Sequence, residues 1–180
     1  MITGHLGIAA AVRSGWRDTS LLWLLPASVA PDLLDVAYAL VGICSPFGLY
    51  SHTVPAVALL AIAVGGVAFV ATGSRSTALA AGGLVLLHLP ADMITGFKYF
   101  WPGRPLMGLN LYQRPALDFV LELVIALGGL WMLRRRAGMP RWATVAAAAA
   151  ALVLAQAVFD TQTIGKPSAC EAAAVPSSKL

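Results

Sequence analysis

The sequence predicts an all-α fold: a polytopic membrane helical bundle of about four to five spans, with a short N-terminal helix and a Pro-broken second helix. Two observations carry this reading. The 180 residues are 59% hydrophobic and only 11% charged, with a mean hydropathy of +0.80, whereas soluble domains are about 25% charged. Several apolar runs also reach about 18 residues or more, enough to cross a hydrocarbon core of about 30 Å. No long polar linker separates them, so residues 1–160 are expected to form one membrane-embedded domain. Residues 161–180 read as a polar, disordered tail.

The elements follow in order. Residues 2–12 suit a helix, but about 11 residues at a rise of 1.5 Å each are too short to cross a bilayer. Thr19 to Val41 is long enough, yet Pro26 and Pro31 interrupt it, and two shorter helices are expected to meet near Asp32. Gly42 to Tyr50 reads as a loop. The next span runs to about Ala71, with Ser51 as its expected N-cap and Pro55 inside its first turn, where a missing N–H costs little. Thr77 to Thr95 is a further span that Pro90 should bend. Gly96 to Pro115, rich in Gly, Pro and aromatics, is a loop of membrane-interface composition. Ala116 to Leu133 and the alanine-rich Trp142 to Phe159 complete the spans.

Basic residues orient this map. Arg134, Arg135, Arg136 and Arg141 form the densest basic turn and should be cytoplasmic. Counting back, seven of the twelve Lys and Arg fall inside, and His52, His88, Asp92 and Asp118 all fall toward the outer ends of their spans. The net charge of +4 is explained by orientation, and no basic stripe interleaved with aromatics points to nucleic acid. Cys44 and Cys170 lack CxxC spacing, which argues against a thiolate zinc site and leaves a disulfide open. No cleavable signal peptide is expected, because no positive charge leads the first apolar stretch.

The candidate site is built from the rarest residues in such a chain. His88 and Asp92 stand four residues apart, on one helical face. The other two histidines, His5 and His52, also sit in or beside apolar helices, with acids at the same expected depth. Five of the eight acids, Asp32, Asp35, Asp92, Asp118 and Glu122, fall within apolar spans that hold too few basic residues to neutralise them. Ionisable groups at membrane depth are expensive, so this clustering favours a cation site or a proton-handling site. Imidazole and carboxylate together are ligands for zinc, manganese or iron. Each residue also has a simpler structural reading. His88 and Asp92 can bridge a kink, Asp32 can cap the helix after Pro31, and Asp118 can complement the helix dipole.

Gly4-His5-Leu6-Gly7, Leu25-Pro26, Pro31-Asp32-Leu33-Leu34-Asp35, Ser51-His52-Thr53, His88-Leu89-Pro90-Ala91-Asp92-Met93-Ile94-Thr95 and Trp101-Pro102 resemble the YdjM-type family of inner-membrane, LexA-regulated metal-dependent hydrolases. The likeness covers about residues 1–120. It implies a bacterial cytoplasmic (inner) membrane protein whose His and Asp residues bind metal. The chain departs from the family pattern by inserting Ala27 to Ala30 between the prolines and a second Leu between the two acids.

Together these readings give the expectation of a membrane-embedded metal-dependent hydrolase. His5, Asp32, His52, His88 and Asp92 would hold a divalent metal ion, zinc first, with manganese or iron as alternatives. Asp35, Asp118 or Glu122 would serve as general base toward water activated by the metal. Trp101, Lys98, Arg104 and Arg114 flank the expected site near the outer face, which suits an ester or phosphoester of a lipid or lipid phosphate. The alternatives are an ion or proton transporter and a structural membrane protein.

Overall fold

A computed structural model describes residues 2–103 and 105–137, with scattered positions between 146 and 157. Six helices account for most of it: α1 (Ile2–Gly15), α2 (Leu21–Ser28), α3 (Ala30–Leu40), α4 (Val54–Thr72), α5 (Arg75–Thr95) and α6 (Pro115–Ala137). Between α5 and α6 lies a two-residue antiparallel hairpin, β1 (Lys98–Tyr99) and β2 (Leu106–Met107), which pairs Lys98 with Met107 and Tyr99 with Leu106. The all-α expectation holds, and the loop expected over Gly96 to Pro115 contains this hairpin and a 3-10 turn. Among the described residues three helices, α4, α5 and α6, are long and apolar enough to cross a membrane, and the α2–α3 pair makes a fourth if it is one bent span. The expected last span and tail lie outside the described residues apart from those scattered positions, as does Cys170.

The broken span turns by 59°, and its break falls at Val29, three residues before the expected meeting point at Asp32. Pro31 has no N–H to donate to Ala27, so α2 cannot run on. The same proline fits the first turn of α3, where the missing donor costs nothing. Asp32 thereby lands in the first turn of the new helix. The N-cap of α4 is Thr53 rather than Ser51, because Ser51 is drawn into a hydrogen bond with Asp35 instead. Ser74 caps α5, its hydroxyl accepting the Thr77 N–H at 3.2 Å, and α5 continues through Pro90 as one helix.

In a bilayer, lipid competes for apolar side chains, so helices associate through close packing and polar links. Both are present. A Cβ added to Gly7 of α1 would lie 2.5 Å from the Ala126 Cα of α6, so these backbones meet only because Gly7 has no side chain. The α1–α6 contact also carries a buried hydrogen bond from Thr3 Oγ1 to Glu122 Oε2 at 2.8 Å. Such interhelical bonds contribute about 0.6–2 kcal/mol in lipid. Helix α4 packs along α5 through small residues, burying Ala61 and Ala68 against Ala80 and Ala81. Its opposite face, with Leu59, Ile62 and Val70, is exposed, as a lipid-facing surface requires. Helix α5 touches α1, α2, α3 and α4, which makes it the central strut and fixes where its polar end lies.

Candidate metal centre

The polar end of α5 supplies His88 and Asp92, both buried and one helical turn apart. His88 Nδ1–H donates to the Ser28 carbonyl at 2.8 Å. Ser28 is the last residue of α2, so its carbonyl is one of the acceptors a helix end leaves over. The proline-broken span therefore creates the group that orients His88. Because a carbonyl can only accept, the proton resides on Nδ1 and the Nε2 lone pair faces the centre.

His52 comes from the turn before α4. Its backbone N–H donates to the Gly48 carbonyl at 2.7 Å. Gly48 has φ of +71°, and a Cβ there would lie 2.5 Å from His52 Nδ1, so only glycine lets the turn close against the ring. Ser51 Oγ donates to Asp35 Oδ1 at 2.5 Å, which leaves the hydroxyl oxygen to accept from His52 Nδ1–H at 2.6 Å. Asp35 Oδ2 lies 3.3 Å from the same nitrogen. His52 is thus held like His88, with Nε2 turned inward.

Four candidate ligand atoms converge, from Asp32, His52, His88 and Asp92, all within 4.8 Å of one another. His52 Nε2 is 3.1 Å from His88 Nε2, 3.4 Å from Asp32 Oδ1 and 3.2 Å from Asp92 Oδ2. His88 Nε2 is 3.5 Å from each of those two oxygens. A tetrahedron with bonds of about 2.0–2.1 Å to nitrogen or oxygen has edges of about 3.3–3.4 Å. Five edges of the group are therefore of the length a small tetrahedral ion requires. The chemistry of the donors agrees: with both imidazoles neutral, two inward lone pairs and two carboxylate oxygens are acceptors that repel one another until a cation, whether a metal or a proton, stands among them. Asp32 Oδ2 is buried with no hydrogen-bond partner among the described residues, a cost that a cation on this carboxylate offsets.

Protons feel the same attraction. Burial and the Lys98 charge push the His52 imidazole down, but its contacts with Asp32, Asp35 and Asp92 outweigh both and hold its pKa up at about 9. Lys98, from β1, places its ammonium 3.2 Å from Asp92 Oδ2. Burial would lower its pKa, but Asp92 and Asp32 raise it above the ordinary lysine value. The histidines and Asp92 are sealed inside, whereas the side chains of Asp32 and Asp35 are 27% and 28% exposed, so the centre is reached from the α3 side.

Four of the five expected ligands, Asp32, His52, His88 and Asp92, make up this group. His5 stands beside it: its Nε2–H donates to Asp92 Oδ1, the oxygen other than the one facing His52, and its ring stacks on His88 with centroids 3.8 Å apart. Of the three acids expected as general bases, Asp35 lies behind His52, on the Nδ1 side. Glu122 is buried at the start of α1, where its carboxylate accepts from Thr3 Oγ1 and the Gly4 N–H. Asp118 is buried in the first turn of α6. The direct Lys98–Asp92 pair was not expected from sequence, although the position of Lys98, three residues past the end of α5, was a usable signal. The Ser28 carbonyl carries no sequence signal, because any residue can supply one.

Comparison with family models, with curated proteins and with solved structures finds no match to this chain.

Proposed function

We propose that the chain is a membrane-embedded metal-dependent hydrolase of the YdjM type, acting on an ester or phosphoester of a lipid or membrane-associated substrate. One observation carries this reading: Asp32, His52, His88 and Asp92, drawn from three separate segments, bring four acceptor atoms to tetrahedral spacing in a buried centre. Zinc, with bonds to nitrogen and oxygen of about 2.0–2.2 Å, fits edges of that length, with manganese or iron as alternatives. When bound, a divalent metal supplies a Lewis acid that lowers the pKa of water toward about 7.

The chain's own residues do the rest. Ser28 and Ser51 lock the two imidazoles so that no reorganisation is needed for them to act as ligands. His5 holds the Asp92 carboxylate through Oδ1, the oxygen other than the one facing His52. Asp32 and Asp35 line the accessible side, where water can enter, and Asp35 orients His52 from its Nδ1 side. A membrane substrate is supported by the apolar surroundings. A cleft of about 330 Å³ lined only by apolar residues lies between α2, α3 and α4, and its wall residues Ala27 and Ala30 bracket the segment that holds His88. The bacterial inner membrane is the setting that the family resemblance supplies.

The test is metal analysis of the purified protein by mass spectrometry, paired with hydrolysis of phospholipid and carboxyl-ester lipids in nanodiscs. Near-stoichiometric metal, lost in His88→Ala together with hydrolysis, is the expected result. Protein that carries no metal after exposure to zinc, manganese or iron overturns the reading.

A further inference from the structure

Lys98 is the one group at the centre that the metal reading does not use. Its position is fixed by backbone bonds on both sides. The Val54 N–H, two residues beyond His52, donates to the Phe100 carbonyl at 3.0 Å. The Leu109 N–H donates to the carbonyl of Met93, the neighbour of Asp92, at 2.8 Å. The Tyr99 ring meets Phe47 edge-on at 6.1 Å, seating the hairpin against the turn that carries His52. Lys98 is therefore an ammonium delivered to a set point, with a side chain only 17% exposed.

An ammonium has three donors, and among the described residues the contact of Lys98 is with Asp92 Oδ2. A divalent metal held by Asp32 and Asp92 would compete with Lys98 for Asp92 Oδ2, the oxygen that both use. Asp35, the remaining acid nearby, offsets part of the Lys98 charge from behind His52, but it is engaged by Ser51 there and makes no ion pair with Lys98 among the described residues. A half-buried cation with unused donors beside a metal calls for an anionic partner. A neutral carboxyl ester offers none, whereas a phosphoryl group offers charged oxygens to both cations at once.

We propose that Lys98 is the anchor for a phosphoryl group, so that the substrate class of this centre is a phosphate ester rather than a carboxyl ester. This rests on the metal-dependent reading above, and its test is arranged so that the two fail separately. Full-length protein in zwitterionic nanodiscs is loaded with zinc, and metal content and inorganic phosphate binding are measured for the wild type, Lys98→Met and Lys98→Arg. Removing a positive charge beside the carboxylates does not weaken metal binding, so Lys98→Met is expected to keep its zinc. Its phosphate affinity is expected to fall at least about tenfold, while Lys98→Arg stays within about threefold of wild type. Nanodiscs doped with phosphatidic acid separate the sources. Competition with inorganic phosphate in the wild type but not in Lys98→Met assigns a lipid phosphate, and Lys98-dependent phosphate binding without competition assigns a soluble phosphate ester. Equal phosphate affinity in zinc-loaded wild type and Lys98→Met overturns the anchor alone. Loss of zinc from both Lys98 variants overturns it too, by making Lys98 a structural partner of Asp92. A wild type that takes up no metal overturns the hydrolase reading and the anchor with it.

Discussion

His5 Nε2 lies 2.9 Å from Asp92 Oδ1, joining the first helix of the chain to a carboxylate 87 positions later. The other oxygen of that carboxylate faces His52 and His88, so His5 sets the angle at which Asp92 meets the centre. Partners of this kind around metal ligands are worth about 10–100-fold in affinity. His5→Ala is therefore expected to retain metal at about 10–100-fold weaker affinity, whereas His88→Ala loses it. Competition titration against a chelator of known affinity reads both, and His5→Ala binding as tightly as wild type would deny His5 this role.

Asp35 separates two chemical roles in one experiment. Its carboxylate accepts from Ser51 and stands 3.3 Å from His52 Nδ1, on the side of the ring away from the four ligand atoms. If it orients His52, Asp35→Asn weakens metal affinity by about 10–100-fold and activity follows the metal content. If it is the general base, Asp35→Asn keeps its metal and loses about 100-fold or more in turnover. The hydrogen-bond geometry predicts the first outcome. Metal content and turnover measured on the same preparation decide it.

These two residues also show what a sequence of this kind discloses. The helices were legible because long apolar runs have few other uses, and Pro31 marked the broken span to within three residues. The group Asp32, His52, His88 and Asp92 was legible for a similar reason, since ionisable residues at membrane depth demand partners. What depended on packing was hidden. His5 and Asp35 are the same residue types as the ligands, and only the facing of one oxygen or one ring nitrogen sets them apart. Glu122 turned to the start of α1 because Gly7 lets α1 approach α6, a contact between segments about 120 residues apart in sequence.

The turn that carries His52 has a single point of failure. Gly48 holds a left-handed φ of +71°, with no room for a Cβ against His52 Nδ1. Gly48→Ala is expected to cost about 1–3 kcal/mol in backbone strain and to displace the ring as well. Thermal unfolding in detergent should show a lower midpoint, with weakened metal uptake. Gly66→Ala serves as the control, because a Cβ there meets nothing within 4 Å. Equal midpoints and metal contents for the two variants would mean that the turn tolerates the side chain.

The His52 imidazole makes metal binding and pH oppose one another. In the metal-free protein its pKa is raised from 6.5 to about 9, because the surrounding carboxylates outweigh burial and Lys98. A group raised in the folded state stabilises it fully below the unfolded value, and that contribution is lost as pH climbs through the folded value. Chelated protein should therefore lose stability from His52 between pH 6.5 and about 9. A metal needs the neutral ring, so its binding displaces this proton, and its apparent affinity should rise by about tenfold per pH unit across the same window. The thermal midpoint with saturating zinc should accordingly move up relative to the midpoint with chelator as pH increases. A gap between the two curves that fails to widen from pH 6.5 to 9 would show that His52 is neutral before the metal arrives, and that the carboxylates do not hold a proton there.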